Sequence, residues 1–185
     1  MSYELLLADA DNTLFDFSAA EAVALRQTLE RCALPTDEAT VALYSAINDR
    51  HWKALERGET TQARVRVERF ADFFRAVERP ALAVRAEEIS ALYVERLGEQ
   101  RPLMPGALDF CRRVSARMPI YVVTNGIARV QRSRFEPSEL APYLRELIIS
   151  EEVGAAKPDP RMLHIAMRRA GVADRRRVAL LGDSL

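Results

Sequence analysis

The sequence predicts an α/β fold in which a parallel-sheet core is interrupted early by an all-helical block. Three observations carry this. Short apolar runs at Leu5-Leu6-Leu7-Ala8, Ile120-Tyr121-Val122-Val123, Leu147-Ile148-Ile149 and Val178-Ala179-Leu180-Leu181 read as strands, the first two and the last running into polar or glycine residues. Helical patterns separate the last three runs, and strand alternating with helix implies parallel pairing with helices on the faces. From Ser18 to Leu97, by contrast, the spacing is helical throughout and no strand is convincing. A chain of 185 residues accommodates a core with a smaller insertion, here expected as core at 1–16 and 101–185 and insertion at 17–100.

Taken in order, the first run ends in Asp9-Ala10-Asp11, and Phe15-Asp16-Phe17 leads away as a turn or flap. Ser18-Ala19-Ala20-Glu21 fits a capping box, so a helix is expected to start there, with Val23, Leu25 and Leu29 on its apolar face and Leu34-Pro35 at its close. A second helix is expected from Asp37 toward Arg57, stopped by Gly58, and a third from Gln62 to Val77. A fourth follows Pro80 and ends before Gly98. Pro102 and Pro105-Gly106 mark a linker, after which Ala107–Arg117 reads as a helix burying Leu108, Phe110, Cys111 and Val114. The second strand ends in Thr124-Asn125-Gly126, and a helical stretch runs from Ala128 to Phe135. The third strand precedes a loop at Gly154–Pro158, Pro160 opens a helix through Arg169, and Gly171 caps it before the fourth strand.

Composition narrows the function classes. Basic and acidic residues number 27 each, which indicates no electrostatic nucleic-acid surface, and nearly half the residues are hydrophobic, which argues against disorder. No apolar run approaches membrane-spanning length and the start lacks a basic-then-apolar leader, so a cytoplasmic location is expected, with neither a nucleic-acid polymer nor a membrane as partner. Cys32 and Cys111 lack the close spacing of a zinc or redox motif and read as buried thiols. The basic residues are almost all arginine. Only Lys53 and Lys157 are lysines, and a retained lysine can mark a place needing a compact point charge.

In an open parallel sheet the carboxyl ends of the strands gather on one edge, where ligands bind. The polar residues falling there are Asp9, Asp11, Thr124, Asn125, Lys157 and Asp183. Singly, each has an ordinary reading as a turn carboxylate, a strand-end hydroxyl or a solvated loop charge. Together they fill the needs of phosphate-ester hydrolysis: a nucleophile, a proton for the leaving oxygen, donors for the other oxygens and a cation. Asp9 would attack and become an aspartyl phosphate, while Asp11 would protonate the leaving oxygen and then activate water. Thr124 and Lys157 would hold phosphoryl oxygens. Asp183, Asp9 and the backbone carbonyl of Asp11 are hard oxygen donors suited to magnesium.

Asp9-x-Asp11-x-Thr13, Thr124-Asn125, Lys157-Pro158 and Gly182-Asp183 resemble the four ordered motifs of the haloacid dehalogenase (HAD) superfamily, most of whose members are magnesium-dependent phosphatases. The resemblance implies a Rossmann-like, HAD-like core whose helical insertion is a small cap. More narrowly, Asp9–Phe15, Asn48 with Trp52 and Gly58, Arg69-Phe70 and Ile149–Pro158 are similar to the noncanonical pyrimidine 5'-nucleotidases. That implies a nucleoside monophosphate as the small-molecule substrate, with Asn125 among the phosphate-binding residues; Trp52 and Arg69 are the cap's candidate contacts to it, beside the ordinary readings of Trp52 as core and Arg69 as a solvated helix charge. Phosphatases acting on phosphoglycolate or sugar phosphates remain alternatives. Family members continue past Gly182-Asp183 to a second acid, a strand and a helix, so the core is expected to be C-terminally incomplete and a non-catalytic binding fragment is the other reading. Gly182-Asp183-Ser184-Leu185 also spells the nucleophile block of an unrelated esterase family, whose histidine lies downstream.

Overall fold

A computed structural model describes residues 2–183 of the chain. Among them, four parallel strands form one sheet in the order β3-β2-β1-β4: β1 is Leu5–Ala8, β2 Ile120–Thr124, β3 Glu146–Ile149 and β4 Val178–Leu181. β1 pairs in register with both neighbours, Ala8 facing Val122 on one side and Leu181 on the other. The apolar runs alternate between two buried faces. Leu6, Ala8, Ile120 and Val122 pack with Phe15, Cys111 and Phe135, while Leu5, Leu7, Tyr121 and Val123 pack with Ile148, Met162 and Ala166. A period-two strand apolar at every position can be satisfied only by cover on both sides, which is why the runs read as parallel strands. At the edge, β4 is less covered and Leu180 is 51% exposed.

The chain divides into two compact units, residues 1–20 with 98–185 and residues 21–97. Four helices account for most of the second: α1 (Phe17–Arg31), α2 (Glu38–Glu56), α3 (Gln62–Ala76) and, after the short α4 (Pro80–Ala83), α5 (Ala86–Glu99). Its interior is aromatic, with Tyr44, Phe70, Phe73, Phe74 and Tyr93 fully buried in mutual contact. Into this core the helices also bury a polar chain. Asn48 Nδ2 donates to Glu21 Oε1 at 2.6 Å, Arg69 Nη1 donates to Asn48 Oδ1 at 2.8 Å, and Ser45 donates to Glu21 Oε2 at 2.8 Å. Burial raises the Glu21 carboxyl above its ordinary value, with Ser45 and Arg69 opposing.

Several local expectations are corrected. The capping box at Ser18 does not form: α1 begins at Phe17, and Asp16 Oδ1 accepts from Ala19 N at 2.9 Å. Glu21 is drawn instead to partners 24 and 27 residues away, a tertiary preference no local pattern encodes. Gly98 does not end the preceding helix, because α5 runs on to Glu99. A side chain there would place Cβ 2.5 Å from Ser133 Oγ, so this glycine serves close approach rather than termination. Cys111 is buried, and burial pushes its thiol up to about 11, whereas Cys32 is only half-buried. No helix among the described residues is long and apolar enough to cross a membrane.

In the sheet-bearing unit, α6 (Ala107–Ser115) and α7 (Ala128–Phe135) follow, then α8 (Ser150–Val153) and α9 (Arg161–Ala170). The one-turn α8 was not anticipated. Its Glu151 accepts from Ala128 N at 2.8 Å, capping α7, and its Glu152 pairs with Arg132 at 2.7 Å. These contacts fix α7 against the end of β3.

Candidate active site

Strand order places β1 between β2 and β4: the chain steps outward from β1 to β2 and β3 and then returns past β1 to β4, so the order reverses beside β1, the place where such sheets bind ligands. Asp9 is the first residue past that end, and its N–H continues the ladder by donating to the Leu181 carbonyl at 2.8 Å. Lys157 Nζ lies 2.7 Å from Asp9 Oδ1, and Ala10 N donates to the same oxygen at 2.7 Å. The side chain is only 15% exposed. Burial raises the Asp9 carboxyl, Lys157 pulls it back, and the neighbouring Asp11 charge adds to the rise.

β1 has ended before Asp11, so a turn presents that carboxylate. Leu14 and Phe15 both donate to the Ala10 carbonyl, and Asn12 donates to the Phe15 carbonyl at 2.7 Å. Asn12 sits at φ 56°, a left-handed conformation that asparagine tolerates better than most side chains. The turn folds Phe15 into the core, where its ring meets Phe135 edge-on at 4.6 Å. Both oxygens of Asp11 are then taken by α7: Arg134 Nη1 lies 2.6 Å from Oδ1, and Gln131 Nε2 donates to Oδ2 at 2.8 Å. Arg134 is fully buried, its guanidinium 4.6 Å above the Phe15 ring. The sequence reading missed this pair. A signal was present, since Gln131 and Arg134 are polar residues one turn apart on the face of α7 that also buries Val130 and Phe135.

Thr124 ends β2 and is buried. Its Oγ1 accepts from Gly126 N at 3.1 Å and from Gln131 Nε2 at 3.3 Å. With both lone pairs engaged, the hydroxyl proton is left to donate. Asn125 faces Lys157: its Nδ2 donates to the Lys157 carbonyl at 2.8 Å and its Oδ1 accepts from Lys157 N at 2.7 Å. The Lys157-Pro158 peptide bond is cis.

Asp9, Lys157 and Asn125 are thus joined by direct contacts, and Asp11 and Thr124 through Gln131, the two sets being adjacent along the chain at 9–11 and 124–125. Asp183 lies two residues past β4 and is exposed; no group of three His, Cys, Asp or Glu side chains gathers among the described residues. Ser184 lies outside the described residues. In the helical unit, Trp52 is half-buried on α2, Lys53 pairs with Asp49 at 2.8 Å, and His51 with Asp72 at 3.0 Å. Arg69 is 1% exposed, bonded to Asn48 and lying over the Tyr93 ring at 4.9 Å.

Comparison with known proteins finds relatives along the whole chain. YfnB of Bacillus subtilis is 31% identical over 183 residues, covering 99% of this chain and 77% of its own. Pyrimidine 5'-nucleotidase YjjG of Escherichia coli is 30% identical over 184 residues, covering all of this chain and 79% of its own. A crystal structure of YfnB described as bound to magnesium superposes with a TM-score of 0.93 at 30% identity, over all of this chain and 81% of that one. The family profile of the haloacid dehalogenase-like hydrolases matches residues 3–185, and this chain belongs to that family.

Proposed function

We propose that the chain is a magnesium-dependent phosphomonoesterase of the 5'-nucleotidase type, acting in the cytoplasm on nucleoside monophosphates, with pyrimidine nucleotides as the preferred class. The observation that carries this reading is the Lys157 ammonium 2.7 Å from the largely covered Asp9 carboxylate, with the Thr124 hydroxyl free to donate. The pyrimidine preference is supported by the names of two relatives about 30% identical over the whole chain, YjjG and PynA of Streptococcus pneumoniae.

Both bonds to the Asp9 carboxylate from described residues fall on Oδ1, so Oδ2 keeps its lone pairs for attack. The Asp9 Oδ2–phosphorus bond forms as the ester P–O bond breaks, and Asp11 gives its proton to the departing oxygen. Asp11 then takes a proton from water, which attacks phosphorus; the bond to Asp9 breaks and phosphate leaves. Thr124 and Lys157 hold the phosphoryl oxygens through both steps. Asn125 acts on the phosphate through Lys157, whose backbone it holds on both sides.

The donor set suits a hard divalent cation. Among the described residues the bonds to the Asp9 carboxylate fall on Oδ1, so Oδ2 is left as a hard oxygen donor beside the Asp11 backbone carbonyl. Asp9, the Asp11 carbonyl and Asp183 would hold magnesium, which supplies charge neutralisation to the phosphoryl group. Phosphate release from pyrimidine and purine monophosphates, phosphoglycolate and sugar phosphates, with and without magnesium, tests the reading. Magnesium-dependent release favouring pyrimidine monophosphates is expected. Release from none of the panel contradicts the phosphatase reading, and a preference for another ester contradicts the substrate class.

A further inference from the structure

Resting on the phosphatase reading, we infer that Gln131 and Arg134 are positioning residues that fix the acid–base carboxylate of Asp11 and tie it to the phosphate donor Thr124. One helix supplies both. Arg134 Nη1 reaches Asp11 Oδ1 at 2.6 Å and Gln131 Nε2 reaches Oδ2 at 2.8 Å, from residues 123 and 120 positions away in the chain. A carboxylate held at both oxygens by donors on one rigid element cannot rotate, so its distance from the leaving oxygen is set by α7.

The same amide nitrogen of Gln131 also lies 3.3 Å from Thr124 Oγ1. An amide nitrogen carries two protons, one for each acceptor, and Asp11 can accept but not donate when ionised, which fixes the orientation of the amide. Gln131 therefore bridges the group that serves the leaving oxygen and the group that holds the phosphoryl oxygens. Each carboxylate oxygen offers about two lone-pair sites, and the clamp uses one on each, so proton transfer to and from Asp11 is not blocked.

Three further features belong to the clamp. Arg134 is fully buried with its guanidinium on Phe15, so the turn carrying Asp11 is held by its side chain and by the ring four residues on. Glu151 and Glu152 of α8 anchor α7 in turn. At Gly126 a Cβ would stand 2.1 Å from Gln131 Nε2, so the glycine after Thr124-Asn125 leaves room for this amide.

The test compares two esters under saturating magnesium: a nucleoside monophosphate, whose alkoxide leaving group needs a proton, and p-nitrophenyl phosphate, whose phenolate does not. In Gln131→Met, kcat/KM is expected to fall about 10- to 100-fold more for the nucleotide, which loses both ties, than for the aryl ester, which loses only the one to Thr124, the difference being part of the range a general acid contributes. Gly126→Ala should reproduce this split by displacing the amide, and Arg134→Lys should retain more nucleotide activity than Arg134→Met. Equal losses on both esters would reduce these residues to structural ones and overturn the inference, as would no loss in Gln131→Met. A second readout needs no turnover: the side-chain NH2 resonances of Gln131 should shift in Asp11→Ala. Unmoved resonances overturn the clamp itself. A wild-type chain that cleaves neither ester while those resonances do move contradicts the phosphatase reading and removes the catalytic role, leaving the contact.

Discussion

Asn125 and Lys157 hold each other through two reciprocal hydrogen bonds, side-chain amide to backbone carbonyl at 2.8 Å and backbone N–H to side-chain carbonyl at 2.7 Å. Residues 32 apart in sequence thus join the ends of two loops, and the ammonium meets Asp9 at 2.7 Å because its backbone is already fixed. Pre-set charge of this kind acts without reorganising during the reaction.

Lys157→Met removes the cation that holds the Asp9 carboxyl down, while burial continues to raise it. The Asp9 pKa therefore rises further, and its anion is populated only at higher pH. The acidic limb of kcat/KM against pH is expected to move upward, with turnover near neutrality falling about 100- to 1,000-fold, the cost of losing one preorganised donor. An acidic limb in the wild-type position contradicts the pairing.

Thr124→Ser keeps a hydroxyl with the same two donors facing it and is expected to retain activity within a few-fold. Thr124→Val removes it, and a loss of about 100-fold or more in kcat is expected. Similar rates for the two variants would show that the hydroxyl does not donate to phosphate.

The buried Glu21 gives a pH effect outside the sheet-bearing unit. Its folded-state pKa lies above the ordinary 4.5, so the folded chain binds the proton more tightly than the unfolded one. Its contribution is complete below that ordinary value and is lost as pH rises through the raised one. Chemical unfolding of wild type and Glu21→Gln across the acidic range should show the wild-type advantage shrinking as pH rises. A difference constant with pH contradicts the shift.

The strands were legible because apolar runs ending in polar residues have few alternatives in an alternating α/β pattern. The motif residues stood out because polar types recur at strand ends in the order that resembles the family's four motifs, and the structure brings Asp9 and Asn125 to Lys157. Glu21 was misread because a capping box is a local pattern, whereas its partners Ser45 and Asn48 come from another helix. Gln131 and Arg134 escaped for the same reason: only the fold brings α7 under a carboxylate more than a hundred residues earlier. Gly98 and Gly126 read as punctuation in sequence, while in space each makes room for a side chain of α7.

The central claim is that Asp9 is a nucleophile rather than a ligand alone. Asp11→Asn lacks the base for the second step but can still be phosphorylated by p-nitrophenyl phosphate, which needs no proton donor to leave. Mixed with that ester and magnesium and quenched in acid, Asp11→Asn should gain the mass of one phosphoryl group, carried on the peptide containing Asp9. The double variant Asp9→Asn with Asp11→Asn should gain none. Label on any other residue, or undiminished label in the double variant, would contradict the account.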